Sequence, residues 1–253
     1  MNKTLYMKVS DQDIGKYVIF SGDPWRVEVI KDFLDEPKKI AFEREYNTYT
    51  GFYKGVKVTI SSTGIGAPSA AIAMEEMYEA GMRVALRMGT VMSLKDDLLG
   101  HYIVPIGSMR RESTSLTYAT LAYPAIADLA LVEVINETLH NHGQTVDNGL
   151  SCSMDGFYTQ MRDSRLSKER NINIHQTFED LKDLKISGID MESSCMLVCG
   201  RLMNVQTASL TLVTVLENLK AVLPDGERQA KEKELCMLAL ESIYNLAQKE
   251  KQR

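Results

Sequence analysis

Six short runs are apolar, rich in β-branched residues and bounded by Gly, Ser or Asp: "KYVIF", "VKVTISST", "VALRMGT", "HYIVPIG", "KISGIDM" and "TASLTLVTVL". That pattern predicts buried strands. Between them apolar residues recur at helical spacing. "APSAAIAMEEMYEAGM" places Glu75 and Glu76 opposite its small and apolar residues and stops at Gly81, a C-terminal capping glycine. "YPAIADLALVEVINETLHNHG" and "MESSCMLVCGRLMN" follow the same spacing, and "GERQAKEKELCMLALESIYNLAQKEKQR" predicts a long amphipathic helix. Strands alternating with helices predict a three-layer α/β fold with a mixed or largely parallel sheet, in which ligand sites gather at strand ends.

Composition narrows the function. A chain of 253 residues without repeats, low-complexity segments or linkers fits one large domain, 1–253. With 44% hydrophobic residues and a net charge of -5, it reads as an ordinary soluble globular protein, which argues against a nucleic-acid-binding surface. A small anion remains compatible, because a few converging arginines make a local positive pocket in an acidic protein. No apolar run approaches the ~20 residues that span a bilayer and the N-terminus lacks a signal-peptide core, so no membrane contact and a cytoplasmic location are expected. Four cysteines without Cys-x-x-Cys pairing fit reduced thiols, with Cys195 and Cys199 packed on one apolar helix. The histidines His101, His140, His142 and His175 show no metal spacing.

Four stretches concentrate arginine, glycine and hydroxyl near strand ends. In "YVIFSGDPWRVEVI", Gly22 lets the backbone turn close to a ligand, and Pro24 sets a helical start with Arg26 in its first turn. A cation there calls for a solvated surface or an anionic partner. "EREYNTYTG" carries Arg44 and Glu45 on an expected strand, "SSTGIGAPS" sets glycines and hydroxyls before a helix, and "LRMGT" ends a strand with Arg87, Gly89 and Thr90. Singly, these read as an edge ion pair, a tight turn and a snorkelled arginine. Together they suit a phosphate. "GIDMESS" places Asp190, Met191 and Glu192 between strand and helix, where capping is the structural alternative.

In this order, "FSGDPWRV", "EREYNTYTG", "STGIGAPSAAIAMEEM", "LRMGT", "YPAIADL", "GFYTQ" and "IDMESS" resemble the nucleoside phosphorylase-I family, most closely its uridine phosphorylases. The resemblance covers almost the whole chain and is specific as a combination. It implies a three-layer α/β/α sandwich around a mixed, partly closed sheet, and reversible phosphorolysis of a nucleoside to base and ribose 1-phosphate in nucleoside salvage. Inorganic phosphate is the implied co-substrate, with no organic cofactor. Gly22, Arg26, Arg87 and Thr90 would hold phosphate, and Arg44 would reach the phosphate of a neighbouring subunit. That implies a dimer with shared sites, inside a hexamer built as a trimer of dimers. Met191 and Glu192 would grip the ribose, Glu192 through the 2′- and 3′-hydroxyls. Phe157 would pack on base or sugar, Gln160 would read a pyrimidine edge, and either Arg162 or Arg165 would contact the base. Arg87, Arg26 and Glu192 form the implied catalytic set. Glu45, Ile65 and Ser69 match positions that hold potassium at the dimer interface of some relatives.

The chemistry suits these residue types. Breaking an N-glycosidic bond develops positive charge on the ribose, which a phosphate held beneath C1′ by arginines stabilises while poised as nucleophile. The departing base gains negative charge, and an amide such as that of Gln160 both donates and accepts at its edge. Three departures from the family pattern stand out. Val91, Met92 and Ser93 follow "LRMGT" where a small residue and glycine are usual. Tyr6 replaces a histidine that reaches the 5′-hydroxyl across the interface. Glu217, Asn218 and Lys220 stand where a base-binding arginine is usual, and Glu217 matches the acid of purine nucleoside phosphorylases. The alternatives are therefore a purine nucleoside phosphorylase, or a non-catalytic member serving as nucleoside-binding partner subunit.

Overall fold

A computed structural model describes residues 3–252. In chain order its elements are β1 (Tyr17–Ser21), α1 (Pro24–Ile30), β2 (Asp35–Glu43), β3 (Tyr46–Tyr53), β4 (Val56–Ser62), α2 (Ala67–Glu79), β5 (Val84–Ser93), β6 (Tyr102–Ile103), β7 (Gly107–Arg111) and β8 (Ala125–Ile126). There follow α3 (Leu129–Asn141), β9 (Val146–Asp147), β10 (Leu150–Met154), α4 (Arg165–Glu169), α5 (Ile174–Asp183), β11 (Ile186–Asp190), α6 (Ser193–Leu202), β12 (Gln206–Leu216) and α7 (Asp225–Lys251).

Side chains alternate along the central strands, so each strand serves two cores. On β1, Tyr17 and Ile19 face a cluster completed by α1, α3 and α7, whereas Val18 and Phe20 face one built from α2 and α6. The result is helices on both faces of a mixed sheet, as expected. Glycine ends α2 as its sequence predicts: Gly81, at φ +105, lets Met82 N–H reach back to the carbonyl of Met77. Glu76 departs from its expected solvent face. It is buried and accepts the backbone N–H groups of Tyr6 and Met7 at 2.8 and 2.7 Å, tying the N-terminal segment to α2.

In place of the expected partial closure, the ladder branches at β5. On one edge β5 pairs in parallel with β12 along its whole length, from Val84↔Gln206 to Ser93↔Leu216. On the other it pairs with β1 as far as Met88↔Ser21, then with antiparallel β11 from Met92↔Ile189. Gly89, Thr90 and Val91 lie between these two partners. Such a change of neighbours opens a crevice at strand ends, the usual ligand position in α/β sheets. Two local expectations fail: "HYIVPIG" pairs over Tyr102–Ile103, breaks over residues 104–106 and pairs again only at Gly107, where β7 begins, and Arg44 and Glu45 occupy the turn between β2 and β3, with Arg44 at φ +55. Among the described residues no helix is long and apolar enough to cross a membrane.

Candidate active site

A cavity of about 780 Å³ fills the crevice beside Gly89–Val91. Its polar end is built by three turns and one strand: Gly22–Arg26 after β1, Gly64–Ile65 after β4, Asp190–Glu192 after β11, and Arg87, Gly89 and Thr90 on β5. Its other end is apolar, with Met92, Phe157, Met161, Ile189 and Val215.

Arg87 is the centre of the polar end. It is buried, and its Nη2 lies 2.5 Å from Glu192 Oε2 and 3.3 Å from Asp190 Oδ2. Burial works against the guanidinium charge, yet Asp190 and then Glu192 outweigh it and hold Arg87 protonated above its ordinary range. Its Nη1 is buried without a hydrogen-bond partner, and a Cβ on Gly89 would come within 2.6 Å of that nitrogen. Gly89 therefore makes room for the guanidinium, and one donor is left for something else. Glu192 is gripped from two sides, since its Oε1 accepts the Gly66 N–H at 2.6 Å. Asp190 is anchored from behind by Ser153 Oγ at 2.6 Å and by the hydroxyl of Ser193, and it also accepts the Ser193 N–H at the start of α6. Capping and cavity lining are thus both roles of Asp190.

Arg26 finds the partner that its position calls for. Asp23 caps α1 by accepting from Trp25 N–H, Pro24 starts the helix, and Arg26 turns inward, almost fully buried. It donates to Ser21 Oγ at 3.1 Å and pairs with Glu232 of α7 at 3.3 Å. The same Glu232 oxygen accepts from Arg228 Nε at 2.9 Å, and Arg228 lines the cavity. Neither Arg228 nor Glu232 was singled out by the sequence pattern, although their i, i+4 spacing is that of a helix ion pair. Thr214, Val215, Tyr158 and Met161 are further lining residues that the motifs did not signal.

Of the candidates, the structure brings Gly22, Arg26, Ile65, Arg87, Thr90, Phe157, Met191 and Glu192 to one cavity. It does not bring the others there. Arg44 stacks over the Tyr6 ring at 5.5 Å, and neither side chain lines the cavity. Gln160 lies on a π-helical turn, Phe157–Met161, and folds back, its Oε1 accepting Gly156 N–H at 2.7 Å. Arg162 is exposed, and Arg165 pairs with Glu169 on the surface. Ile65 lines the cavity, whereas Glu45 accepts from Ser69 Oγ at 3.0 Å outside it. Glu217 is bound by two lysines, 2.7 Å from Lys182 and 3.0 Å from Lys220. Asn218 pairs with Asp163, donating to its carboxylate and accepting its N–H, both at 3.0 Å. Among the described residues no three His, Cys, Asp or Glu side chains form a metal cluster.

The inserted bulk after "LRMGT" is accommodated. Val91 is buried against Gly188 of β11, where a Cβ would meet Val91 Cγ2 at 2.8 Å. Met92 packs with Met154, Met161 and Ile189 while still bounding the cavity.

A sheet that changes partners beside a buried arginine–carboxylate centre defines a class, and a family model confirms it: residues 16–247 match the Phosphorylase superfamily. The chain belongs to that superfamily, and within it to the nucleoside phosphorylase-I family. A uridine phosphorylase from Thermococcus kodakarensis is 31% identical over 95% of this chain and 86% of its own. A guanosine phosphorylase from Halorubrum lacusprofundi is 31% identical over 97% and 98%. The crystal structure of uridine phosphorylase from Vibrio fischeri, at 33% identity, superposes with a TM-score of 0.84 over 96% of this chain and 97% of that one.

Proposed function

We propose that the protein catalyses phosphorolysis of uridine or a related pyrimidine nucleoside, forming base and ribose 1-phosphate in salvage. The observation that carries this reading is the Arg87–Glu192 pair, with Arg87 Nη1 unpartnered beside Gly89 and Thr90. Phosphate binds Arg87, Arg26, Thr90 and the Gly22 backbone, and takes over part of the charge that Arg87 now directs at Glu192. Glu192 then accepts from the ribose hydroxyls beside Met191. A phosphate oxygen forms the bond to C1′ as the C1′–N bond breaks, and the bonding pair leaves with the base. Bound charges beneath the ribose stabilise the cationic transition state without reorganisation, a contribution of orders of magnitude in rate. No organic cofactor is needed.

Pyrimidine over purine is favoured by Glu217. Burial alone would raise its carboxyl, but hydrogen bonds from Lys182 and Lys220 outweigh this and hold it below the usual range. An ionised, doubly paired carboxylate outside the cavity is a poor proton donor to a purine. The similarity to guanosine phosphorylase keeps a 6-oxopurine as the second reading.

Self-association belongs to the same proposal. Arg44 and Tyr6, stacked outside their own cavity, fit donation to the site of a second copy in a dimer, with a trimer of such dimers as the full assembly. Glu45 and Ser69 offer a carboxylate and a hydroxyl beside this face, oxygen donors suited to a hard cation such as potassium. The test is base release from uridine, inosine and guanosine by purified protein, with and without millimolar phosphate. Phosphate-dependent uracil release is expected. Release from a purine nucleoside alone would overturn the pyrimidine assignment, and silence with all three would leave a non-catalytic nucleoside-binding subunit.

A further inference from the structure

The apolar end of the cavity holds one polar side chain that the fold has placed there by an irregularity. Along β12 the parallel register with β5 runs one residue to one as far as Val213↔Val91, then jumps to Val215↔Met92. Thr214 is the extra residue of a β-bulge. Its carbonyl is used, accepting Leu223 N–H at 2.9 Å, so the bulge is pinned from the following loop. Bulges re-aim a side chain out of the regular alternation and recur next to active sites. Without the bulge, strict alternation with Leu212 and Leu210, both in the hydrophobic core, would turn residue 214 into that core as well.

Thr214 lines the cavity and is 3% exposed, and its hydroxyl is not one of the fully enclosed, unpartnered polar atoms among the described residues, so it stays open to the cavity. A hydroxyl open to a cavity is free to donate to, or accept from, a ligand bound there. Position along the sheet says what could satisfy it. Thr90 pairs with Leu212, so Thr214 lies two residues beyond the level of Thr90, roughly 5–7 Å further from the arginines at 3.3 Å per residue. That offset separates an anion from the base of a nucleoside placed between them. The two residues expected to read the base are elsewhere, Gln160 folded onto Gly156 and Arg162 exposed.

We infer that Thr214 is a base-contacting residue, its hydroxyl hydrogen-bonding the carbonyl–imide edge of the nucleobase. The inference rests on the nucleoside reading of the cavity and deepens it: recognition of the base falls to a bulged strand residue. A hydroxyl donates to C=O and accepts from N–H, so it serves either group of that edge. As the negative charge of the leaving base develops on the carbonyl oxygens, the donated bond strengthens.

The test compares wild type, Thr214→Val and Thr214→Ser with uridine as substrate, measuring kcat/KM for the nucleoside and KM for inorganic phosphate. Valine keeps the β-branched shape and removes only the hydroxyl. Thr214→Val is expected to lower kcat/KM for uridine about tenfold while phosphate KM stays within about twofold, and Thr214→Ser to recover most of the loss. An unchanged kcat/KM in the valine variant would overturn the inference. So would a serine variant as poor as valine, or a phosphate KM that shifts in parallel, since either marks a steric role. If wild type cleaves inosine or guanosine instead of uridine, the pyrimidine reading fails alone, and the same three proteins are compared on the 6-oxopurine edge. A wild type inert with all three nucleosides removes the reading and the inference together.

Discussion

Glu192 and Glu217 are both acids within a few residues of a strand end, and their partners separate their roles. Glu192 is held by one buried arginine and one backbone N–H inside the cavity, whereas Glu217 is neutralised by two lysines outside it. Glu192→Gln keeps the shape and removes the charge that orients Arg87 and that, in the proposed reaction, accepts from ribose. It should lower kcat/KM about a hundredfold or more in a steady-state assay, and turnover near wild type would remove Glu192 from the ribose site. Glu217→Gln should leave turnover within about twofold for any nucleoside the protein cleaves. Its effect should appear in stability. A carboxyl whose folded pKa is depressed contributes stability that is present above the unfolded value and lost as pH falls through the folded one. Denaturant midpoints of this variant should therefore approach those of wild type as pH falls through and below the usual carboxylate range, and a constant gap across pH would refute the lysine clamp. At this scale Arg87, Gly89 and Thr90 were legible because one strand carries all three. Gln160 was not, because the absent Gly156 side chain leaves room for its amide to fold back, a contact without a sequence signal. Arg228 was hidden in an amphipathic pattern that any surface helix would show.

The strands show how a departure from family pattern is absorbed. Val91 on β5 occupies the space that a side chain at position 188 would need, with Ile103 closing it from the other side at 2.9 Å. The side chain of one strand fills the space that the glycine of the other leaves open. Gly188→Ala should then destabilise by about 1–3 kcal/mol through overpacking, whereas Val91→Ala alone leaves a small cavity. Because the two sites share one space, the double variant should be more stable than the sum of the single effects by at least about 0.5 kcal/mol. Urea titration of the four proteins measures this, and additive effects would show that the contact is not tight. The long buried strands β4, β5, β11 and β12 were legible as apolar runs. β7 and β10 were not, since "GSMRR" and "LSCSM" are too polar to announce burial. In "HYIVPIG", Pro105 lacks the N–H that a continuing ladder would require, so apolar character survives where pairing stops. The change of partners on β5 is invisible to local pattern, for it depends on which remote strands lie against its edge.

At the scale of the whole molecule, the proposal of a shared site starts from residues that the chain leaves exposed. Leu5, Trp25 and Ile65 are each more than two-thirds exposed, although Ile65 lines the cavity and Trp25 sits between two residues that do. Exposed apolar groups near a functional mouth signal an interaction surface. Arg44 and Tyr6 stack outside the cavity of their own chain, and Glu76 fixes the backbone beside Tyr6. A two-fold contact would let each copy complete the site of the other, because such an interface presents the same patch on both sides. Complementation between defective chains tests this directly. Arg44→Ala and Arg87→Ala homo-oligomers should each be nearly inactive. In a mixed dimer, the chain carrying Arg44→Ala keeps its own Arg87 and receives Arg44 from its partner, so one site is whole and the other carries both lesions. Co-expression at equal levels should recover about a quarter of wild-type activity, as random pairing makes half the dimers mixed with one good site each. If Arg44 instead served its own chain, every site would lack one arginine or the other, and mixing would recover nothing.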